Sequence, residues 1–186
     1  MPGYAYGLPA GECKTGQKLV KVPGSVCSGC YAMKGNYTRF PAIRESQYKR
    51  LKAIRHPLWV QAMAAKINSV AVSKHKFFRW HDAGDVQDLK HLAKIFKVCR
   101  LTPDIKHWMP TREAWTKRWI ARAPSNLVIR FSGTMIGQGP VKSWPHTSTV
   151  VTDGSRTCNA PDNNGQCGSC RKCWNKDIKN ISYGKH

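Results

Sequence analysis

The sequence predicts an α/β fold: a small open parallel sheet or partial βα barrel, carrying a cysteine-rich N-terminal loop and a C-terminal cysteine knuckle. Three observations carry that expectation. Segments with apolar residues at helical spacing alternate with short apolar runs. The loops that follow those runs are polar, charged or glycine-rich. Seven of the eight cysteines lie in two groups outside the alternating core. Strands separated by helices imply parallel pairing with right-handed crossovers, and in such sheets ligands gather at the carboxyl ends of the strands.

Taken in order, residues 38–54 (TRFPAIRESQYKRLKAI) and 57–73 (PLWVQAMAAKINSVAVS) repeat apolar residues at helical spacing, and Pro57 suits a first helical turn. KFFRW (76–80) reads as a strand that ends in the turn-rich HDAGD. Residues 86–99 place Val86, Leu89, Leu92, Ala93, Phe96 and Val98 on one apolar stripe, and Pro103 ends that element. DIKHWM (104–109) is strand-like, Thr111 is placed to cap a helix through residue 122, and NLVIRFSG (126–133) is the clearest buried strand. A last run, STVVT (148–152), precedes the C-terminal cysteines. Four or five strands result, with carboxyl ends at HDAGD, MPTRE, FSGTM and TDGSRTC.

A chain of 186 residues with 41% hydrophobic content is long enough for one core. It reads as a single domain over 1–186, with the cysteine loop at 1–37, the α/β core at 38–152 and the knuckle at 153–186. No run of about 18 apolar residues is present, and MPGYAYGLPAGECK lacks the pattern of a secretory signal. The expectation is a cytoplasmic protein with no membrane partner. Thirty-one Lys and Arg against ten Asp and Glu give a formal charge of +21. Such an excess points to a polyanion, nucleic acid (DNA or RNA) first, because neutralising phosphates releases counterions without any base contact.

Cys13, Cys27 and Cys30 are spaced C-x13-C-x2-C, while Cys158, Cys167, Cys170 and Cys173 form C-x8-C-x2-C-x2-C. Cys99 stands alone on a helical pattern and reads as a small core residue. A reducing compartment and the C-x2-C spacing disfavour disulfides, so both groups read as metal ligands, with Gly29 and Gly168 permitting tight turns. Zinc or a [4Fe-4S] cluster suits four thiolates. Three cysteines at successive three-residue steps with a remote fourth favour iron and sulfur over a zinc knuckle. The N-terminal group has three cysteines, which leaves one iron of a cube open unless a side chain such as His81 or Asp82 closes it. One or two clusters are expected.

His81, Asp82 and Asp85 stand at a strand end, where they line a cleft, bind a cofactor amine or complete a metal site. Alternatively, Asp82 and Asp85 cap the next helix. Trp115 and Trp119, four apart, mark a core face. Arg112, Lys117, Arg118 and Arg122 offer a basic flank to phosphates, and Arg171 and Lys172, beside Trp174, do the same on the knuckle.

VCSGCYAMKGNY, FRWHDAGDVQ, HWMPTRE and IRFSGTM together resemble the bacteriophage "gene product 88" family, in order and spacing, from Cys13 to Cys173. More remotely, the cysteine loop ending in C-x2-C-Y-A, then helix, strand and a glycine-acid turn, is similar to the radical S-adenosylmethionine enzymes. That similarity implies a cluster on Cys13, Cys27 and Cys30 whose open iron takes the amine and carboxylate of S-adenosylmethionine, and reductive cleavage to a 5'-deoxyadenosyl radical. It implies Tyr31 beside the adenine, and Gly84 and Asp85 where those enzymes bind the amine. The gap after Cys13 is longer than in those enzymes, and four or five strands fall short of the six in their usual partial barrel. A phage origin implies the host cytoplasm.

Overall fold

The computed structural model describes residues 1–71 and 75–185. Strand β1 (Tyr4–Tyr6) is followed by helices α1 (Lys14–Val20), α2 (Asn36–Arg39), α3 (Pro41–Ala53) and α4 (Trp59–Ala71). Then come β2 (Phe77–Trp80), α5 (Leu89–Leu101), β3 (Lys106–Thr111), a 3-10 segment (Ala114–Arg122), β4 (Leu127–Ile136), β5 (Thr147–Val151) and β6 (Asn180–Gly184). The six strands form one open sheet in the order β1-β2-β3-β4-β5-β6, and every pair is parallel. Each strand therefore lies beside its predecessor in the chain, and the sheet advances in one direction from β1 to β6.

Side chains alternate between the two faces of each strand. One face carries Phe78, Trp80, Met109, Leu127, Ile129 and Phe131 into a core shared with Val60, Ala64 and Ile67 of α4 and Leu92, Ile95 and Phe96 of α5. Cys99 belongs to this core, as expected, and Trp115 and Trp119 pack at its edge. The opposite face carries Arg79, Trp108 and Arg130. Its lower part is covered by the knuckle through Trp174, whose ring packs edge-on to Trp108 at 5.3 Å and whose indole N–H donates to the carbonyl of Phe78 at 2.9 Å. Arg130 is completely buried. It donates to four knuckle carbonyls, those of Lys172 (3.1 Å), Cys173 (3.0 Å), Asn175 (2.7 Å) and Ile178 (2.8 Å).

Several expected boundaries move. The first long helix breaks at Phe40 and Pro41 into α2 and α3, because Pro41 has no N–H to continue the earlier turn. The next starts at Trp59, two residues after Pro57, and residues 72 and 73 of its expected span lie outside the described residues. Thr111 ends β3 instead of capping a helix, and the segment after it is 3-10. Asp82 and Asp85 do not cap α5: Asp88 does, its side chain accepting from the N–H of His91 at 2.7 Å. Six strands replace the expected four or five. Among the described residues no helix is long and apolar enough to cross a membrane.

Candidate metal centre

The loop after β1 carries the first three cysteines to the carboxyl end of the sheet. Cys13 precedes the first turn of α1, and its carbonyl accepts from the N–H of Gln17 at 2.9 Å. Cys27 and Cys30 flank a short 3-10 turn closed by the Cys30 N–H on the Cys27 carbonyl at 3.1 Å and capped by the Ser25 hydroxyl. β4 anchors this turn from below, through a bridge between Ser25 and Met135 and the Ile136 N–H on the Gly24 carbonyl at 3.0 Å. Gly16 faces both sulfurs: a Cβ built there would stand 3.6 Å from Cys13 Sγ and 3.9 Å from Cys27 Sγ. Any side chain at this position would fill the space between them.

Burial pushes the Cys13 thiol well up, and the nearby charges of Asp85, Cys30 and Cys27 push it further while Arg112 opposes them. Burial also raises Cys27, with Arg112 the main opposing charge. Thiols so placed stay protonated unless a cation lies among them, and a metal centre is what draws such protons off. The donor set therefore fits a thiolate-bound metal. Among the described residues no three His, Cys, Asp or Glu side chains stand close enough for a single metal ion. A tetrahedral zinc site needs sulfurs about 3.8 Å apart, whereas a cube spreads one thiolate to each of its irons.

The turn at residues 81–85 forms the adjoining wall. Gly84 adopts φ +78°, and a Cβ there would lie 2.8 Å from the Leu8 carbonyl oxygen, so the turn can sit on the β1 exit only with glycine. The Asp85 carboxylate is fully engaged. Oδ1 accepts from the Val86 N–H and the Thr111 hydroxyl, each at 2.7 Å, and Oδ2 from the Arg112 N–H at 2.8 Å. Burial raises its pKa to about 6 against these bonds. Asp82 accepts from the Tyr37 hydroxyl at 3.0 Å, and its carbonyl accepts from the Tyr31 hydroxyl. Tyr31 thus stands at the cavity rim, its ring edge-on to Tyr37 at 5.9 Å. His81 has φ +57° and packs edge-on to His91 at 5.5 Å. Asp85 and Arg112, not His81 or Asp82, are the charges that act on the Cys13 and Cys27 thiols.

Thiols, turn and concave sheet face enclose one cavity of about 660 Å³, lined by Cys13, Cys27, Cys30, Tyr31, Asp82 and Arg112 among others. That is room for a nucleoside-sized molecule. Sequence reading missed Glu113, which is buried. Its Oε1 accepts from the Thr15 N–H in the first turn of α1 at 2.8 Å, and its Oε2 from the Trp115 indole at 3.1 Å. The MPTRE segment thereby holds both the Cys13 helix and the Asp85 turn. Within MPTRE, the acid three residues before a helical stretch was the available signal.

The second cysteine group is looser. Cys158 and Cys173 are close enough that the charge of one raises the other, though burial does most to push Cys173 up to about 11. Cys173 Sγ lies 3.4 Å from the Tyr183 hydroxyl. Cys167 and Cys170 flank a turn closed at 2.9 Å, with Gly168 at φ +53°, whereas Gly29 of the first turn takes no positive φ. None of the eight cysteines forms a disulfide. The basic residues divide. Lys117, Arg118 and Arg122 are exposed on the 3-10 segment, but Arg112 turns into the cavity, so it does not share their outer flank. Arg171 folds back to donate to the Gly168 and Cys170 carbonyls at 2.6 and 2.8 Å, while Lys172 stays exposed.

A family model described as Gene product 88 matches residues 1–176. No curated protein and no solved structure matches the chain.

Proposed function

We propose, since the chain belongs to the gene product 88 family and gathers three thiols over an open cavity, that it is an iron-sulfur enzyme of the radical S-adenosylmethionine type acting on a nucleic acid or another anionic substrate. The observation that carries this reading is the placement of Cys13, Cys27 and Cys30 directly after β1, at the carboxyl ends of six parallel strands in sequential order. The strand count that sequence reading found too low is now six. Cys13, Cys27 and Cys30 would hold a four-iron cluster, which supplies one-electron chemistry at an iron that has no protein thiolate. The side chains that would close that iron are engaged elsewhere, Asp82 with Tyr37 and Asp85 with three donors. Tyr31 and Tyr37 offer an aromatic wall for an adenine, and Arg112 supplies positive charge beside the thiolates. The C-terminal group would hold a second cluster or a zinc ion that fixes the knuckle.

S-adenosylmethionine added to the reduced, anaerobically prepared protein should release 5'-deoxyadenosine and perturb the cluster's magnetic spectrum. Neither response should survive in Cys30→Ala. An iron-loaded wild type that gives neither response would leave a nucleic-acid-binding iron-sulfur protein, and a colourless zinc protein would leave a zinc-knuckle binder.

The charge of +21 supports a nucleic-acid substrate or partner. Affinity for an oligonucleotide should fall with salt, each phosphate contact adding roughly 0.7 to 0.9 to the logarithmic slope. The double variant Arg118→Gln, Arg122→Gln should lower that slope by about two contacts at most and leave the melting temperature unchanged, because both residues are exposed. Salt-independent binding would remove the phosphate grip.

A further inference from the structure

Two arginines point from neighbouring parts of the sheet to its concave face, and they are treated differently by their surroundings. Arg130, on β4, has its guanidinium saturated by four carbonyl groups. Arg79, on β2, makes no hydrogen bond to any described residue, and its Nε is buried without a partner. Its guanidinium carbon lies 4.6 Å from the centroid of the Trp108 ring, the side chain paired with it in register on β3. Stacking on an indole fixes the plane of the fork and leaves its N–H edge free to face outward. The Trp108 indole N–H is likewise buried without an acceptor, and so is Arg112 Nε on the thiol side of the same cavity. Among the described residues the one ion pair is Arg156 with Asp162, remote from this wall.

One cavity wall thus presents three donor groups with no acceptor and two cations with no counterion. Buried donors and charges left unpaired are costly, so a wall of this kind is complementary to a group that brings negative charge and lone pairs. A planar fork held in one orientation matches two oxygens of one oxyanion.

We propose that Arg79, with the Trp108 indole N–H, forms an oxyanion subsite on the concave face that takes the phosphate or carboxylate group of the substrate. The subsite rests on reading the cavity as a reaction site only for the identity of its ligand as substrate; the anion contact itself needs no cluster. Arg79 places the molecule and takes no part in bond making. It also lies near Cys173 and Tyr183, whose ionised forms it favours, so a countercharge role toward the knuckle is the rival to be separated.

The test is calorimetric titration of the full chain, prepared anaerobically, at about 0.2 M salt, where exposed lysines are screened. Adenosine monophosphate and inorganic phosphate form one arm, and succinate the other. The expected result is one saturable site per chain. Arg79→Met should weaken it about tenfold or more, Arg79→Lys should weaken it less, and Arg118→Gln should leave it unchanged. The tighter arm identifies the oxyanion as phosphate ester or carboxylate. Trp108→Phe, which keeps the stacked ring and removes the N–H, should weaken the same site and serves if Arg79→Met does not fold. Unchanged binding in Arg79→Met and Trp108→Phe overturns the subsite, as does loss of metal from the knuckle with anion binding intact. Iron content and deoxyadenosine release, measured on the same wild-type preparation, report separately on the cluster reading.

Discussion

Cys27→Ala should empty the N-terminal centre. Wild type prepared without oxygen should carry iron and acid-labile sulfide, about four irons for each filled group. The variant should lose about four of them together with all deoxyadenosine release. Cys27 is the natural choice because it is the most buried of the three thiols and shares with Cys13 the space that Gly16 leaves open. The loss should also lower the melting temperature, since metal binding contributes directly to folding of the loop that binds it. Glu113→Gln separates positioning from ligation. It keeps all three thiols but removes the charge that accepts from Thr15 and Trp115, so iron retention should weaken by about 10- to 100-fold while sulfide stoichiometry at saturating iron is restored. A wild type with zinc and no labile sulfide, or a Cys27→Ala protein with a full complement of iron, would defeat the assignment.

Acid should unfold the protein well before its surface carboxylates are neutralised. His91 and His107 are buried and neutral: burial lowers His91 to about 4 and His107 to about 3. Each has a structural use for its uncharged ring. Nδ1 of His91 accepts from the Gln87 N–H at 3.2 Å, and His107 lies flat against Trp80 with a nitrogen 2.8 Å from the Thr102 hydroxyl. In the unfolded chain both titrate near 6.5. Between that value and their folded values the unfolded chain binds protons that the folded one refuses, so stability falls as pH falls. The loss is on the order of 3 to 5 kcal/mol for each once the pH is near 3 to 4. His81, whose pKa burial also lowers, acts in the same direction. Asp85 acts oppositely: its folded value of about 6 lies above that of the unfolded chain, so its contribution is present at low pH and lost as pH rises through 6. Its effect is about 3 kcal/mol, smaller than that of the histidines together. Denaturant midpoints should therefore drop steeply from pH 7 to pH 4, and His107→Gln should flatten that slope. A midpoint constant over this range would refute the account.

The central strands were legible because they are fully buried and apolar, as in LVIRF of β4, or bounded by turn residues, as in FFRW of β2. β1 escaped notice for a physical reason: three residues, YAY, set among glycines and prolines, become a strand only by pairing with β2. β6, NISYG, is similarly short and half polar, and its pairing with β5 is supplied by the fold. The cysteine groups were visible from spacing alone. The residues that hold them were not, since Glu113 meets Thr15 98 positions away and nothing local to either marks the meeting. The same holds for Asp85, read as a helix cap or a ligand, whose three donors come from its own turn and from β3. Arg112 was assigned to an outer flank because its neighbours in sequence are basic; β3 ends one residue before it and turns it inward.

Arg130 also sets an order on biosynthesis. Because each strand pairs with the one made just before it, the sheet can be laid down as the chain leaves the ribosome, β1 through β4 in turn. At that stage the cation on β4 has none of its four acceptors, which belong to residues 172 to 178. A nascent chain halted after β5 would hold a naked guanidinium on a surface destined for the interior, and would stay open until the knuckle arrives. The last stretch to be translated is thus the latch: a truncated product cannot close, and exposes itself to proteolysis in place of persisting as a nearly finished protein.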